Sequence, residues 1–324
     1  MLFRSLAVIV AAWFASIAGA AAQTFPSRPV TVVVPYPAGG VTDTLARLLA
    51  ERMKAALGQP IIIENVGGAG GSVGTGRVAR AAADGYTILL GSSETHVLNA
   101  VAQSLSYDVM TDFDPVVQLP SYPFLLVSKN GVPASNLKEL VAWLKANADK
   151  VTQGTVGTGT AQHLCGLAMQ KAIGVRWQFV PYRGGAPAMQ DLLGGQFDIM
   201  CTASGSFLPL VRNGQIRAYA IAAKVRAASA PSIPTVDEAG LPGLHFGIWN
   251  AFWAPKGTPA AAIAKLNAAA REALADSIVQ KRVTDLALDM PPPDQLSPQA
   301  LAALQKADIE KWWPVMKEAG IGSR

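Results

Sequence analysis

Residues 32–47, VVVPYPAGGVTDTLAR, decide how the rest of this chain is read. An apolar run rich in valine stops at Pro35, a proline and glycine turn follows, and an amphipathic stretch opens at once. That is a strand, a tight corner and a helix N-terminus. The first N–H groups of such a helix have no partner within it and point the same way, so the corner can hold an anionic oxygen without any charged side chain.

The unit recurs outward from there. Leu57-Gly58-Gln59-Pro60 stops the first helix, residues 61–65 form a short apolar strand, and GGAGGSVGTG (67–76) leads into a helix over 76–83. Asp84-Gly85 ends that helix, and a strand over 86–90 runs into the polar turn GSSETH. Three strand, turn and helix units in succession predict a parallel sheet with helices on both faces. In such sheets ligands sit at the carboxyl ends of the strands, where all three polar turns fall. The glycine-rich stretch at 67–76 invites a dinucleotide reading. That fingerprint follows the first strand and carries an acidic residue about 20 positions on, and neither condition is met. A glycine-rich loop lining a cleft is the simpler use.

Between 105 and 127 the pattern changes: YDVMTDFDPVVQLPSYPFLLV has prolines beside strand-like runs and no helical period, as expected of a crossing into a second domain. A helix over 137–148, capped by Ser135 or Asn136, precedes a strand over 151–156 and GTGTAQHLCGLAMQKAIG. Residues 177–182 form a strand ending in YRGG, a helix follows over 186–193, and the strand 197–200 ends in CTASGS. VPYPAGG at 34–40 is echoed by VPYRGG at 180–185. The echo predicts two similar α/β domains whose glycine turns face each other across a ligand. A strand over 216–222, a return over 226–236, a strand-rich aromatic stretch at 244–255 and alanine-rich helices over 259–275 and 301–318 complete the pattern. The double return makes a hinge of at least two strands.

Residues 1–22 read as a signal peptide, with Arg4, an apolar run over 6–17 and Ala20-Ala21-Ala22 before the cut. The run is shorter than the roughly 20 apolar residues of a membrane-spanning helix. An exported, soluble chain is expected. The roughly 300 residues that follow exceed one usual hydrophobic core, so two domains are expected: 23–105 with 225–324, and 106–224. The net charge of +5 is thinly spread, which disfavours nucleic acid as a partner. Cys165 and Cys201 are the only cysteines, and the histidines are His96, His163 and His245. That spacing fits no zinc site, and neither a metal nor another cofactor is expected.

For catalysis, no GxSxG elbow is present. Ser72 and Ser204 fit turn residues that bond to backbone. Cys165 stands early in a helix, where a thiolate is favoured, whereas a second cysteine at a strand end of the same half favours a disulfide. His163 can donate to a ligand or satisfy backbone. Arg183 offers a guanidinium to the cleft or a solvated rim. Asp43 can pair with Arg47 one turn on, or steady the first loop from behind. Glu94 in a ligand turn would repel an anion unless the ligand also carries a positive or protonated group; the alternative is that it points to water. An exported hydrolase using Ser204 or Cys165 with His163 is the rival to a binding protein.

Seven blocks in order give a sharper indication: FPSRPVTVVVPYPAGGVTDTLAR, ENVGGAGGSVG, DGYTILLG, GTGTAQHL, VPYRGGAPAMQDLLGGQFD, IPTVDEAG and APKGTP. Through them the chain resembles, over essentially all of its length after residue 22, periplasmic solute-binding receptors of the tripartite tricarboxylate transporter type, the Bug family. The resemblance implies a two-domain periplasmic-binding-protein (Venus flytrap) fold, each domain a mixed, mainly parallel sheet flanked by helices. It implies capture of a small organic carboxylate (di- or tricarboxylate, aromatic or amino-acid-like) for membrane permease subunits or a sensor, by a monomer that is not an enzyme. Carried over, the first turn supplies Tyr36, Ala38, Gly39 and Gly40, with Asp43 behind them, and the third supplies Ser92, Ser93 and Glu94. The second half supplies Thr158, Gly159, Thr160 and His163, then Tyr182, Arg183, Gly184 and Gly185, and finally Thr202 and Ser204. The resemblance also supports the Cys165–Cys201 disulfide. Two positions depart from the family pattern: Thr202, where many relatives place an aspartate, and Glu94, where a small or neutral residue is common.

Overall fold

The structure is a computed structural model and describes residues 24–182 and 185–322. The signal-peptide stretch, Arg183 and Gly184 lie outside the described residues.

The opening strand, β1 (Val30–Val34), is buried along nearly its whole length, as a β-branched run in the interior of a parallel sheet should be. It pairs in parallel with β2 (Ile61–Asn65) on one side and β3 (Thr87–Ser92) on the other. Helix α1 (Val41–Leu57) follows β1 and buries Leu45, Leu49 and Met53, spaced one turn apart. It ends at Gly58, whose left-handed backbone (φ 67°) lets its N–H reach the carbonyl of Lys54. Helix α2 (Ser72–Ala79) starts earlier than its sequence period indicates, because the glycine-rich stretch itself winds into its first turns. GSSETH is not an open turn: residues Glu94–Leu98 form one widened helical turn that runs into α3 (Asn99–Ala102).

The crossing at 105–127 is made by one strand, β4 (Phe113–Lys129), shared by two sheets. Its first half pairs antiparallel with β9 (Gly247–Pro255), which pairs antiparallel with β3. Its second half pairs with β7 (Ile199–Ala203) and β8 (Ile216–Ile221). Between these halves lie Pro120 and Pro123, and the register against β9 shifts between Leu119 and Tyr122. Proline has no N–H for a ladder, so it is tolerated where a strand leaves one partner for another. The second crossing runs alongside: Ala222 donates to the Phe124 carbonyl at 2.7 Å, and the Phe124 N–H to Phe246 at 3.0 Å.

In the second sheet β5 (Thr152–Thr155) lies between β6 (Gln178–Pro181) and β7, all parallel. Helices α4 (Leu137–Ala146), α5 (Ala161–Ile173), α6 (Gly185–Leu193) and α7 (Ser204–Arg212) flank it. Asn136 caps α4 by accepting from Glu139 N–H. The full strand order is β2-β1-β3-β9-β4-β7-β5-β6, with β8 also on β4. This is the expected two-domain flytrap arrangement, two mixed sheets joined by paired crossings.

The chain ends on α8 (Ala260–Ala275), α9 (Ser277–Asp285) and α10 (Pro298–Glu318), all packed on the first sheet's side. Separate apolar clusters lie beneath α1 and α8 and beneath α6 and α7, and a third runs between the halves through Phe124, Phe246 and Trp253. No described helix is long and apolar enough to cross a membrane.

Candidate functional site

A cavity of about 300 Å³ opens between the two halves. The corner after β1 contributes Tyr36, Gly40, Val41 and Thr42, and the turn after β3 contributes Glu94. β4 and β9 add Tyr122 and Ile248 from the crossing region. The other half faces them with Val156, Gln162, Ala203 and Gly205. Leu286 and Leu288, beyond α9, close the wall. Of the residues singled out from sequence, Tyr36, Gly40 and Glu94 line this space.

The opening corner is an uncapped helix start. Gly40 is the N-cap of α1 and no side chain caps its first turn, so the leading N–H groups stay available. Ala38 and Gly39 are exposed beside the cavity rather than on its wall. Gly39, at φ 85°, turns its N–H onto Asp43 Oδ2 at 2.9 Å. Asp43 also accepts from Arg47 Nε at 3.1 Å and, on Oδ1, from Asn65 Nδ2 at 3.0 Å. Asn65 in turn donates to the Tyr36 carbonyl. Asp43 is therefore the support behind the loop. Burial alone would raise its carboxyl, but the bonds from Arg47, Gly39 and Asn65 hold it below the usual range.

Glu94 faces the cavity, not bulk water: the surface it leaves exposed is cavity wall. Burial pushes its carboxyl up to about 7, against a smaller opposing effect of a bond from Tyr36. Tyr36 and Tyr122 stand around it, and both phenols are raised by burial and then by the Glu94 charge. Both therefore stay neutral. Ser92 is buried and holds the Tyr36 hydroxyl at 3.0 Å, so it acts on the site through Tyr36. Ser93 is buried beside it, off the wall. His96 is sealed in the core, stacked on Trp253 with ring centroids 4.3 Å apart.

In the second half the 157–160 turn is shaped from within. Thr160 Oγ1 donates to the Gly157 carbonyl at 2.7 Å, and the Gly159 N–H donates to His163 Nδ1 at 3.2 Å. His163 is thus engaged with its own loop, edge-on to Phe179. Thr158 is exposed, and Gly159 packs so closely on Ala102 and Ile321 of the first half that a Cβ there would lie 3.0 Å from Ala102 Cβ. Tyr182 donates to Asp191 Oδ2 at 2.8 Å within its own half, and Gly185 is exposed at the start of α6. Thr202 is buried in β7 opposite Leu125. Ser204 is wholly buried and donates to the Ala287 carbonyl at 3.0 Å, a bond that ties the two halves together.

The hydrolase arrangement does not form. Cys165 and Cys201 are joined in a disulfide, Cα–Cα 6.2 Å. The Ser204 hydroxyl is spent on Ala287, and His163 Nδ1 on Gly159. The glycine-rich stretch at 67–76 does not line the cavity either. Gly74 instead lies where a Cβ would be 2.5 Å from the Val66 carbonyl oxygen and 3.0 Å from Pro35 Cα. Gly71 and Gly74 let the start of α2 pack closely on Pro35 at the end of β1. Among the described residues no group of His, Cys, Asp and Glu is placed to hold a metal ion.

Several lining residues gave little sign in the sequence. Thr42 belongs to the quoted corner and Gln162 to GTGTAQHL, so proximity to a motif was the available signal. Tyr122 lay in the crossing stretch, beside the prolines that mark it. Leu286 and Leu288 carried none, because tertiary contacts hold their segment at the cavity: the antiparallel bridge between Ser121 and Asp289 and the Ser204 bond to the Ala287 carbonyl.

Two sheets joined by paired crossings, with a cavity between them walled by loop and helix starts, define a two-domain solute-binding receptor. Residues 45–321 match the tripartite tricarboxylate transporter family receptors, and the chain belongs to that family. It is 35% identical over 323 residues to protein BugT of Bordetella pertussis, covering 98% of each chain. MatC from Rhodopseudomonas palustris, solved with bound malate, is 41% identical with a TM-score of 0.77, covering 90% of this chain and 99% of its own. An R. palustris protein solved with adipate is 31% identical with a TM-score of 0.80, covering 92% of this chain and 99% of its own. Members of the family are periplasmic binding proteins that serve membrane transporters.

Proposed function

We propose that this chain is exported to the periplasm, captures a small organic carboxylate in the cavity between its halves, and presents it to the membrane subunits of a tripartite transporter or to a sensor. Its action is stoichiometric binding by a monomer, without turnover. The observation that carries the reading is the uncapped start of α1 opening on a cavity between the halves with no lysine or arginine among its described lining residues. Such a wall receives an anionic oxygen through backbone N–H groups. The malate and adipate held by the two R. palustris relatives support a small carboxylate as the ligand class.

In this reading residues 23–105 with 225–324 form one domain and 106–224 the other. Tyr36, Gly40, Thr42, Glu94, Tyr122 and Gln162 touch the ligand. Ala38, Gly39, Asp43, Ser92, Ser93 and the turns holding Thr158–Thr160, His163, Tyr182, Gly185, Thr202 and Ser204 shape and close the walls. Each half supplies part of the contact, so ligand favours the closed arrangement by differential binding. Titration of the purified protein with mono- and dicarboxylates should raise its Tm in a saturable way and leave the ligand chemically unchanged. A flat Tm across the whole series would count against the proposal.

A further inference from the structure

Glu94 and Gln162 are difficult to reconcile with a ligand that is only an anion. Glu94 is the one ionisable group, apart from two neutral phenols, among the described residues lining the cavity. From the opposite half, Gln162 lines the same space, and its Oε1 is buried within the wall without a partner. The remaining facing side chains bring no cation: Val41 and Thr42 from α1, Ile248 from β9, Ala203 and Gly205 at the start of α7, and Leu286 and Leu288 after α9. His96, on the Glu94 turn, is held neutral by burial that pushes its imidazole down to about 3. The wall therefore offers donors from the α1 start, a Glu94 carboxyl that meets the Tyr36 hydroxyl but no cation, and a Gln162 amide oxygen buried without a donor. A buried acceptor without a donor is unfavourable, and a buried carboxylate without a cation more so.

We infer that the ligand carries a primary ammonium beside its carboxylate, received by Glu94 with help from Gln162, so that this receptor selects zwitterionic amino carboxylates over their deaminated counterparts. The inference rests on the carboxylate reading and adds the class of ligand. The α1 start holds the carboxylate, while Glu94 gives up its proton and pairs with the ammonium. Because burial holds the empty-site carboxyl near 7, binding releases a proton at pH 6 and little at pH 8. Preference for the amine should therefore grow with pH over that interval, in which an ordinary aliphatic ammonium stays charged.

The test is calorimetric titration of the purified protein with matched pairs that differ only in the amino group: alanine and propionate, glutamate and glutarate, phenylalanine and 3-phenylpropionate. Measurements at pH 6 and pH 8, in buffers of different ionisation enthalpy, read affinity and proton release together. At least one amino member should bind roughly tenfold or more tighter than its partner at pH 8, with a smaller gap at pH 6, as a charge-assisted contact requires. Glu94→Gln, which keeps the shape and removes the charge, should bring the pair to within about twofold. If deaminated members bind as well as or better than their amino partners at pH 8, the inference fails while the carboxylate reading stands. A preference that survives Glu94→Gln also overturns it. If no member of any pair binds, the carboxylate reading itself fails.

Discussion

A carboxyl group set between two phenols with no cation at hand is unfavourable once ionised, and that cost should be measurable in the empty protein. The Glu94 pKa is 4.5 in an ordinary setting and about 7 in the fold. An acid whose folded pKa is raised leaves the protein less stable as pH climbs from 4.5 to 7, with the full penalty present above 7. At one pKa unit per 1.36 kcal/mol the upper bound is roughly 3 kcal/mol. Glu94→Gln should thus raise the ligand-free Tm at pH 8 and leave it unchanged near pH 4.5, by scanning calorimetry; equal melting of the two proteins at pH 8 would refute the assignment. His96 works in the other direction. Its imidazole is pushed down, so the stability tied to it is lost as pH falls from 6.5 toward 3, and the comparison of variant with parent cancels that common effect. At this scale the sequence was informative about which residues were odd and poor on where they pointed. Glu94 stood out by its chemistry, but the sequence favoured water over the cavity for it, and it lines the cavity. Ser204 read as a turn residue bonding backbone and does so, while His163 was open between ligand and backbone and accepts from the Gly159 N–H.

The elements were legible where one period dominates. The run into β1 and the apolar spacing of α1 define themselves, and so do the alanine-rich helices α8 and α10. Helix α9 was missed because its nine residues are largely polar and begin directly from the Asp276 cap that also ends α8. The turn Glu94–Leu98 was misread because its polar letters resemble a loop, although burial of Val97 and Leu98 winds it into helix. Glycine density at 67–76 was ambiguous in kind: the same letters serve a pyrophosphate or a tight helix contact. Gly74 decides it, since a methyl group would meet backbone on two sides. Gly74→Ala should therefore destabilise by about 1–3 kcal/mol, the usual range for forcing atoms into a packed site. Denaturant unfolding with an unchanged slope would read this out, and a neutral result would mean that α2 can slide away from β1.

At the scale of the whole molecule, the echo between 34–40 and 180–185 foretold two alike halves. It did not foretell that a single strand, β4, would serve both sheets, because pairing partners are set by tertiary contacts that no local pattern records. The Ser204 hydroxyl on the Ala287 carbonyl joins the halves beside the cavity. A net hydrogen bond of about 0.5–1.5 kcal/mol that exists only when the halves meet should shift the balance between open and closed forms. Ser204→Ala should then weaken ligand binding about two- to tenfold and enlarge the radius of gyration of the ligand-free protein in solution scattering. Unchanged affinity and radius together would show that the bond does not govern closure.

The bridge between Ser121 and Asp289 bears on when the protein first becomes able to bind. It draws Leu286 and Leu288 onto a wall whose first residue is Tyr36, so the cavity is assembled from positions some 250 residues apart in the chain. A chain that does not yet include residue 288, or one kept unfolded for passage through a membrane, lacks part of the wall, so the whole site is assembled only when both ends of the chain have folded together.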